Sequence, residues 1–311
     1  MSELYDVIIL GGGPAGLTAG LYAGRSRLRT LILEKGAPGG QIALSADVAN
    51  YPGQLPEGET GVTLANRMAA QCEAFGAQRK TDAVRAVELT GEVKRITGGA
   101  GEYQARTVII ATGASPRPIG CENEKEFIGK GISYCATCDG AFFRGLDIYV
   151  AGGGDSAVEE ALYLTRFARK VTIIHRRDAL RAAKSIQEKA FADPKIDFLW
   201  DSVVARADGS DLLDTLTIRN TKTGALTTVK APAADGLLGL FGFIGHTPNT
   251  DLFQGQLELQ DGYIPTDADM RTNLPGVFAA GDVRVKSLRQ VVTAAADGAI
   301  AAVQAEKYLM G

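Results

Sequence analysis

The sequence predicts an α/β protein of two similar domains, one inserted into the other, and three observations support this. A strand, a glycine-rich turn, a helix and a second strand follow one another over residues 5–34, and the same order recurs over 146–175. Two Gly/Pro-rich stretches, 112–118 and 245–249, frame the second unit, as linkers do where a chain leaves one domain and later returns. The length of 311 residues suffices for two hydrophobic cores.

The first unit begins with residues 5–10, a short run rich in Val and Ile that is typical of a buried parallel strand. A helix is predicted over 17–25 and a second strand over 30–33. Between the first strand and the helix, glycines recur in a Gly-x-Gly-x-x-Gly turn that starts at Gly11, and Glu34 ends the second strand. Such a turn lets the backbone approach a pyrophosphate, and the acidic residue is placed to bind a ribose hydroxyl. The first unit is therefore predicted to bind a dinucleotide.

The second unit repeats this order, with strands at 146–151 and 171–174, a helix at 158–168 and a glycine turn from Gly152 to Ala157. Alanine in the last position is a permitted variant of the fingerprint. The sequence thus predicts two Rossmann-like, three-layer ββα nucleotide-binding domains.

The ribose position differs between the two units. Glu34 lies 23 positions after Gly11, and His175 lies 23 positions after Gly152. The acidic residue of the first unit is therefore replaced by a histidine in the second.

Three arginines, Arg176, Arg177 and Arg181, follow this histidine. Arginines pair with a 2′-phosphate, whereas a carboxylate repels it. We expect the second site to prefer NADPH to NADH; the alternative is a solvated basic face.

Cys135 and Cys138 form a Cys-x-x-Cys followed at once by Asp139, and the other cysteines, Cys72 and Cys121, stand apart. A structural zinc site needs four ligands, and the chain has two histidines, so a dithiol that cycles through a disulfide fits better than zinc. Asp139 is either an ordinary turn residue or an acid for the leaving thiolate, a role that requires a raised pKa. We expect Cys72 to be a buried small hydrophobe and Cys121 to be a bystander in a polar loop.

Composition excludes several classes of protein. A net charge of −3 argues against a nucleic-acid binder or a membrane-surface protein, and no apolar run approaches the ~20 residues of a membrane span. Residues 1–6 lack the pattern of a secretory leader, and four cysteines are too few for a disulfide scaffold. The expectation is a cytoplasmic α/β protein without a metal.

Near the C-terminus, residues 276–282 read as an apolar strand that ends in Gly281-Asp282. Glycine allows close approach of a ligand, and Asp282 can accept hydrogen bonds from ribityl or ribose hydroxyls. Together with the first fingerprint, this segment suggests a flavin held between both ends of the chain.

These motifs make the sequence resemble the low-molecular-weight bacterial thioredoxin reductases along nearly its whole length. The matching segments are GGGPAGLTAGLYAGR (11–25), GGQI (39–42), NYPG (50–53), ATGA (111–114), CATCDG (135–140), GGGDSAVEEAL (152–162), HRRDALR (175–181), IGHTPNT (244–250), GVFAAGD (276–282) and RQVVTAAADG (289–298).

The resemblance implies FAD, NADPH, a homodimer and thioredoxin as the disulfide substrate. It implies that Cys138 faces the flavin, that Cys135 attacks thioredoxin and that Asp139 is the general acid/base. The implied FAD contacts are Gly11, Gly13, Pro14, Ala15, Gly16, Glu34, Gly40, Gln41, Asn50, Thr112, Gly113, Gly281, Asp282, Arg289, Gln290 and Val291. The implied NADPH contacts are Gly152, Gly154, Asp155, Ser156, His175, Arg176, Arg177 and Arg181.

With these assignments, the expected FAD domain is residues 1–114 with 246–311, and the expected NADPH domain, which also carries the dithiol, is 115–245. Because one inserted domain carries both the dithiol and the second fingerprint, we expect it to rotate between two half-reactions.

Two segments depart from the family pattern. Residues 237–243 look long, which puts the hinge geometry in doubt, and 283–287 are unusually basic, which bears on partner docking or on the reduction potential.

Other functions stay open at this point. They are a flavin-dependent reductase of another redox protein, a small-molecule dithiol oxidase, a ferredoxin-linked flavoprotein and, outside enzymes, a nucleotide-binding redox sensor. The HRRDALR segment disfavours the ferredoxin-linked protein, and the intact second fingerprint favours NADPH-driven reduction over oxygen-driven oxidation.

Overall fold

The structure is a computed structural model that describes residues 3–44, 48, 50–54 and 60–311. The chain divides into two compact units. Unit 1 consists of Met1–Ser115 and Thr247–Gly311, and unit 2 of Pro116–His246.

The elements follow one another along the chain in three groups. Before the insertion they are β1 (Leu4–Leu10), α1 (Pro14–Arg25), β2 (Thr30–Glu34), α2 (Gly61–Ala74), β3 (Gln78–Thr81), β4 (Val84–Glu88), β5 (Lys94–Gly98), β6 (Glu102–Ile110) and β7 (Ala114–Pro116). Unit 2 continues with α3 (Glu124–Phe127), β8 (Ile132–Ser133), α4 (Ala136–Asp139), β9 (Asp147–Ala151), α5 (Asp155–Leu164), β10 (Lys170–Ile174), α6 (Lys184–Ala192), β11 (Ile196–Leu199), β12 (Ser202–Gly209), β13 (Leu213–Asn220), β14 (Leu226–Lys230) and β15 (Gly239–Gly242). The last group is β16 (His246–Pro248), β17 (Val277–Ala279) and α7 (Val291–Met310).

Unit 1 is built on a parallel sheet in which β3, β2, β1, β6 and β17 lie side by side. Alternate residues of each strand face opposite sides. On one side, residues such as Val7 and Ile9 pack against α1, α2 and α7. On the other side, Ile8 and Leu10 pack against the antiparallel β4, β5 and the first half of β6. Unit 1 therefore has three layers.

Unit 2 has the same three layers. Its parallel sheet runs in the order β11, β10, β9, β15, β8. One face packs against α5 and α6, and the other packs against the antiparallel sheet β12–β13–β14. The predicted α/β class with two Rossmann-like domains is confirmed.

Both helices after the glycine turns begin earlier than the hydrophobic pattern predicts. The first begins at Pro14, because proline in the first helical turn has its backbone φ preset and needs no N–H partner. The second begins at Asp155, whose carboxylate lies in the first turn, where the helix dipole favours negative charge.

Residues 237–243 lie in the core of unit 2. Leu238, Leu240 and Phe241 are buried, and β15 is a central strand between β9 and β8. The segment therefore completes the sheet of unit 2 and ends before the linker strand β16, and its effect on the hinge stays untested.

The chain passes between the units through two short strands, β7 and β16, which pair with each other. The Arg117 N–H donates to the Gly245 carbonyl at 2.9 Å, and the Asn249 N–H donates to the Gly113 carbonyl at 3.0 Å. The outgoing and returning linkers thus run side by side.

Among the helices of the described residues, none combines the length and the apolar character that a membrane crossing requires.

Candidate functional site

The two cysteines of the Cys-x-x-Cys are joined in a disulfide at the start of α4. Cys135 precedes this helix, Cys138 lies within it, and their Cα atoms are 5.3 Å apart. Cys135 Sγ accepts the backbone N–H of Cys138 at 3.2 Å. Both residues are half-buried.

Asp139 follows Cys138 and is held by a residue that the sequence motifs did not single out. The Ser133 hydroxyl donates to Asp139 Oδ2 at 2.6 Å, and Ser133 Oγ accepts the Cys135 N–H at 3.1 Å. A serine at the end of a short strand has no pattern that reveals it, because the bond depends on how β8 leads into α4. The Asp139 carboxylate, the Ser133 hydroxyl and the backbone N–H of Cys135 form one hydrogen-bonded group.

In the first glycine turn, the Gly12 N–H donates to Glu34 Oε2 at 2.7 Å. A side chain on Gly12 would lie 3.2 Å from Glu34 Cβ, so the absence of one lets this carboxylate lie against the turn. Glu34 borders a cleft with Gly36, Pro38 and the start of β3, which includes Arg79. This arrangement matches a site for the ribose end of a dinucleotide.

The two ends of unit 1 meet at this turn. A Cβ on Gly281 would lie 2.9 Å from the Cβ of Ala15, so the C-terminal Gly-Asp turn packs directly on the start of α1. Asp282 is half-buried, its buried Oδ1 has no hydrogen-bond partner among the described residues, and desolvation raises the pKa of its carboxyl group. Arg289 Nε is likewise a buried atom without a hydrogen-bond partner in the described part of the chain, and the guanidinium lies 4.4 Å from the centre of the Tyr263 ring. Buried polar atoms without partners fit a site that is completed by a polar ligand such as a flavin.

Around these residues lie the other predicted contacts of unit 1. Asn50 Nδ2 donates to Gln290 Oε1 at 3.1 Å, which links the loop after β2 with the start of α7. Gly40 and Gln41 lie in the short 3-10 turn Gly40–Leu44, and Val291 is the first residue of α7. Thr112, next to Gly113, donates through Oγ1 to the Asn249 carbonyl at 2.8 Å.

The basic segment 283–287 points inward. Lys286 Nζ lies 2.7 Å and Arg284 Nη1 3.1 Å from the carboxylate of Asp297, and these two cationic side chains are 8% and 14% exposed. The Gly281 N–H donates to the same carboxylate at 3.0 Å. Both cations of this segment are therefore paired with Asp297 next to the Gly281–Asp282 turn, and an effect of the segment on partner docking or on the reduction potential stays a prediction.

In the second glycine turn, the ring of His175 lies against Gly153, where a Cβ would be 2.2 Å from Nδ1. This is the place that Glu34 takes beside Gly12 in unit 1, as the register predicts. His175 is 4% exposed, its Nε2 has no partner among the residues that the structure describes, and burial and then the charge of Arg181 lower its pKa. The ring is therefore neutral at pH 7 and supplies no cation for a phosphate.

The three arginines of this turn behave differently from the histidine. Arg176, Arg177 and Arg181 are exposed. The Arg181 backbone N–H donates to the Gly153 carbonyl at 2.7 Å, which ties this arginine to the turn. Asp155 and Ser156, also exposed, begin α5 beside them.

The remaining cysteines are buried and lie outside this group. Burial raises the pKa of Cys72 and of Cys121 to about 11 each, so both are thiols at neutral pH. The sequence placed Cys121 in a polar loop, whereas it packs in the core of unit 2. Among the described residues, no cluster of three or more His, Cys, Asp or Glu side chains could hold a metal ion.

Comparison with known proteins identifies the family. Residues 5–298 match the family model described as pyridine nucleotide-disulphide oxidoreductase. The chain belongs to this family.

Among pyridine nucleotide-disulphide oxidoreductases, the chain is 56% identical over 310 residues to a thioredoxin reductase of Peptoclostridium litorale, a match that covers 99% of this chain and 98% of the relative. A thioredoxin reductase of Streptomyces coelicolor is 50% identical over 313 residues, covering 99% and 95%. The solved structure of thioredoxin reductase from Streptococcus pyogenes superposes with a TM-score of 0.92 at 46% identity and covers 100% of this chain and 99% of that chain. As a pyridine nucleotide-disulphide oxidoreductase of this kind, the chain uses a pyridine nucleotide and a flavin.

Proposed function

We infer that this chain is a thioredoxin-disulfide reductase that transfers electrons from NADPH through FAD and the Cys135–Cys138 disulfide to oxidised thioredoxin. The observation that carries this function is the disulfide itself, half-buried at the start of α4 and next to Asp139. Relatives with this name match the chain over 99% of its length.

FAD is proposed for unit 1. The glycine turn and the N-terminus of α1 suit a pyrophosphate, Glu34 suits the ribose of an adenosine, and the unpartnered Asp282 and Arg289 suit the flavin end. A bound flavin would accept a hydride and give up an electron pair. The residues of unit 1 bind it, orient it and exclude water from it.

NADPH is proposed for unit 2. The exposed Arg176, Arg177 and Arg181 surround the second glycine turn and can pair with a 2′-phosphate. The neutral His175 packs beneath the turn and leaves phosphate recognition to the arginines.

At the dithiol, we propose that Cys138 is the sulfur that receives electrons from the flavin and that Cys135 attacks thioredoxin. Asp139 delivers and takes up the proton that thiol–disulfide exchange requires at the leaving sulfur. A carboxylate held beside the dithiol by Ser133 is in place for this role.

The dithiol and the second glycine turn belong to the same unit, and both must reach one flavin. We propose that unit 2 rotates about the linkers that contain β7 and β16, so that each site reaches the flavin in turn. We further propose that the enzyme is a homodimer and works in the cytoplasm, where NADPH is supplied. Light scattering of the purified holoenzyme measures the dimer.

The test of the function follows the flavin absorbance under anaerobic conditions. We expect NADPH to bleach the flavin and oxidised thioredoxin to restore its colour. Bleaching without recovery would remove thioredoxin as the acceptor and favour a reductase of another redox protein. If neither NADPH nor NADH bleached the flavin, the electron donor would be wrong and a ferredoxin-linked protein or an oxidase would fit instead.

A further inference from the structure

Ser133 carries a single hydroxyl that contacts both halves of the reactive segment. Its O–H donates to Asp139 Oδ2 at 2.6 Å, and its Oγ accepts the Cys135 N–H at 3.1 Å. The Cys135 carbonyl oxygen, 3.4 Å from the same Oγ, is a second acceptor within reach. Ser133 is 5% exposed, so water has little access to compete for these bonds.

We propose that Ser133 is a positioning residue of the thioredoxin reductase reaction and holds Asp139 at the dithiol in both protonation states of the carboxyl group. This role rests on the function proposed above. A hydroxyl has one proton to donate and two lone pairs that accept. While Asp139 is ionised, Ser133 donates to it in a charge-assisted bond. While Asp139 is protonated, its O–H donates to Ser133 Oγ, and the Ser133 proton turns to the Cys135 carbonyl.

This exchange of donors accompanies a balanced reaction. The Cys135 thiolate attacks one sulfur of oxidised thioredoxin, a mixed S–S bond forms, and the thioredoxin S–S bond breaks with its electron pair on the released thiolate. Asp139 gives that thiolate a proton and then takes up the proton of the Cys138 thiol. The resulting Cys138 thiolate attacks Cys135 Sγ, the S–S bond between Cys135 and thioredoxin breaks, and the internal disulfide re-forms. The second thioredoxin thiolate takes from water a proton in place of the one that the Cys135 thiol lost to water. Cys135 and Cys138 are oxidised by two electrons, thioredoxin is reduced by two, and the two protons lost by the thiols equal the two gained by thioredoxin.

Loss of the Ser133 hydroxyl has two expected effects. A hydrogen bond to the ionised form of a carboxyl group favours that form, so without it Asp139 keeps its proton to higher pH. The carboxylate also loses the contact that keeps it beside the dithiol, and proton transfer slows.

Other titratable groups must be separated from this effect. They are the two thiols of Cys135 and Cys138 and Glu160, which is half-buried on α5, the helix that packs against α4. Burial and then the neighbouring Glu159 raise the pKa of Glu160. The experiment is therefore repeated in an E160Q background, where the effect of Ser133 must persist.

The test measures how fast dithiothreitol reduces the Cys135–Cys138 disulfide of the holoenzyme, by acid quenching and thiol counting between about pH 5 and pH 9. Wild type is compared with S133A, with S133T, which keeps the hydroxyl, and with S202A. Ser202 is a suitable control because it is another buried serine of unit 2 whose hydroxyl donates to a backbone carbonyl. The ratio of variant to wild-type rates cancels the titration of the reagent.

We expect S133A to react about tenfold more slowly at low pH and the fall in rate at high pH to move up by about half a pH unit or more. S133T should restore the wild-type midpoint, and S202A should leave it unchanged. An unmoved midpoint in S133A, or a shift that vanishes in E160Q, overturns the proposal. If S133A does not fold, S133T against S133V gives the same comparison, because these two side chains differ by the hydroxyl.

Failure of this proposal and failure of the proposed function give different results. If wild-type enzyme fails to reduce thioredoxin with NADPH while S133A still shifts the dithiothreitol profile, the function is wrong and the positioning role stands. If thioredoxin is reduced normally and the profile does not move, the function stands and the role of Ser133 is wrong.

Discussion

At the scale of single residues, burial decides what each charged group near the glycine turns can do. Asp282 and His175 each have one buried polar atom without a partner among the described residues, whereas the arginines after His175 are exposed. A buried group without a partner costs stability, and a ligand that supplies the partner recovers it. Exposed arginines carry no such cost and are free to meet a phosphate.

Asp282→Asn should stabilise the apo-protein and weaken flavin binding. The raised pKa of Asp282 means that the folded state disfavours the ionised carboxylate. The free energy of unfolding is therefore reduced at pH values above the raised pKa, and it recovers as the pH falls through that pKa and the group takes up a proton. We expect the neutral amide to raise the free energy of unfolding of the apo-protein by about 1 kcal/mol at pH 7. Urea unfolding of the apo-protein and fluorescence titration with FAD measure the two effects. Asp261, an exposed aspartate of unit 1, provides the control D261N; equal behaviour of the two variants would contradict the role of Asp282.

Replacing Arg176, Arg177 and Arg181 with alanine together should raise the KM for NADPH at least about a hundredfold and change that for NADH little, because only NADPH carries the 2′-phosphate. Steady-state kinetics with each nucleotide checks this. R219A, which removes an exposed arginine elsewhere in unit 2, is the control. Equal rises in the two KM values would refute a phosphate site.

Sequence motifs predict the site residues that stand at a fixed spacing from the glycine turns. Glu34 and His175 stand at the same sequence distance from the first glycine of their turns. In the structure they occupy equivalent places, Glu34 beside Gly12 and His175 beside Gly153. Spacing could not show that the histidine is buried, or that Ser133 binds Asp139, because these contacts depend on how separate elements pack.

At the scale of secondary structure elements, α7 supports the turn that carries Asp282. Its Asp297 accepts the Gly281 N–H and pairs with Arg284 and Lys286. Two buried cations therefore share one anion. Removing the anion leaves both cations unpaired, whereas removing one cation leaves a balanced pair.

This asymmetry predicts unequal effects on stability. D297N should lower the free energy of unfolding by about 3 kcal/mol or more, and K286M by about 1 kcal/mol or less. Guanidinium unfolding of the apo-proteins measures both, with K307M, an exposed lysine on the same helix, as the control. Equal losses in D297N and K286M would show that the shared carboxylate does not hold the cluster together.

The sequence predicted which helices and strands form around the two glycine turns, and it predicted the first and last residues of these elements less well. The strand–turn–helix–strand order of both units follows from apolar runs and glycines, and it is confirmed. The antiparallel layers were not located, because strands such as β3 and β14 are largely exposed and show little alternation of apolar and polar residues.

At the scale of the whole molecule, the two linkers are the parts that a rotation of unit 2 would strain. Gly245 has φ +114°, a conformation that side chains with a Cβ rarely adopt. It lies in the returning linker, next to β16.

Gly245→Val should therefore slow steady-state turnover while single half-reactions persist. We expect turnover with NADPH and thioredoxin to fall at least about tenfold, because the linker no longer passes through the conformations that rotation requires. Stopped-flow absorbance separates flavin reduction by NADPH from flavin reoxidation by the disulfide. Gly224, a glycine with φ +74° in the turn between β13 and β14, provides G224V as a control for a valine at positive φ outside the linkers. Unchanged turnover in G245V would argue against linker motion.

Because β7 and β16 run side by side, the ends of unit 2 are adjacent. Once unit 2 has folded, its adjacent ends connect two neighbouring points of unit 1, as a short surface loop would. Folding of unit 1 around this insertion therefore costs little more chain entropy than folding around a short loop. Unit 1 can therefore bring together its distant halves, the first fingerprint and the Gly281–Asp282 turn, whatever the length of chain between them. The same geometry makes Ser115 and Thr247 the natural places to exchange one inserted domain for another.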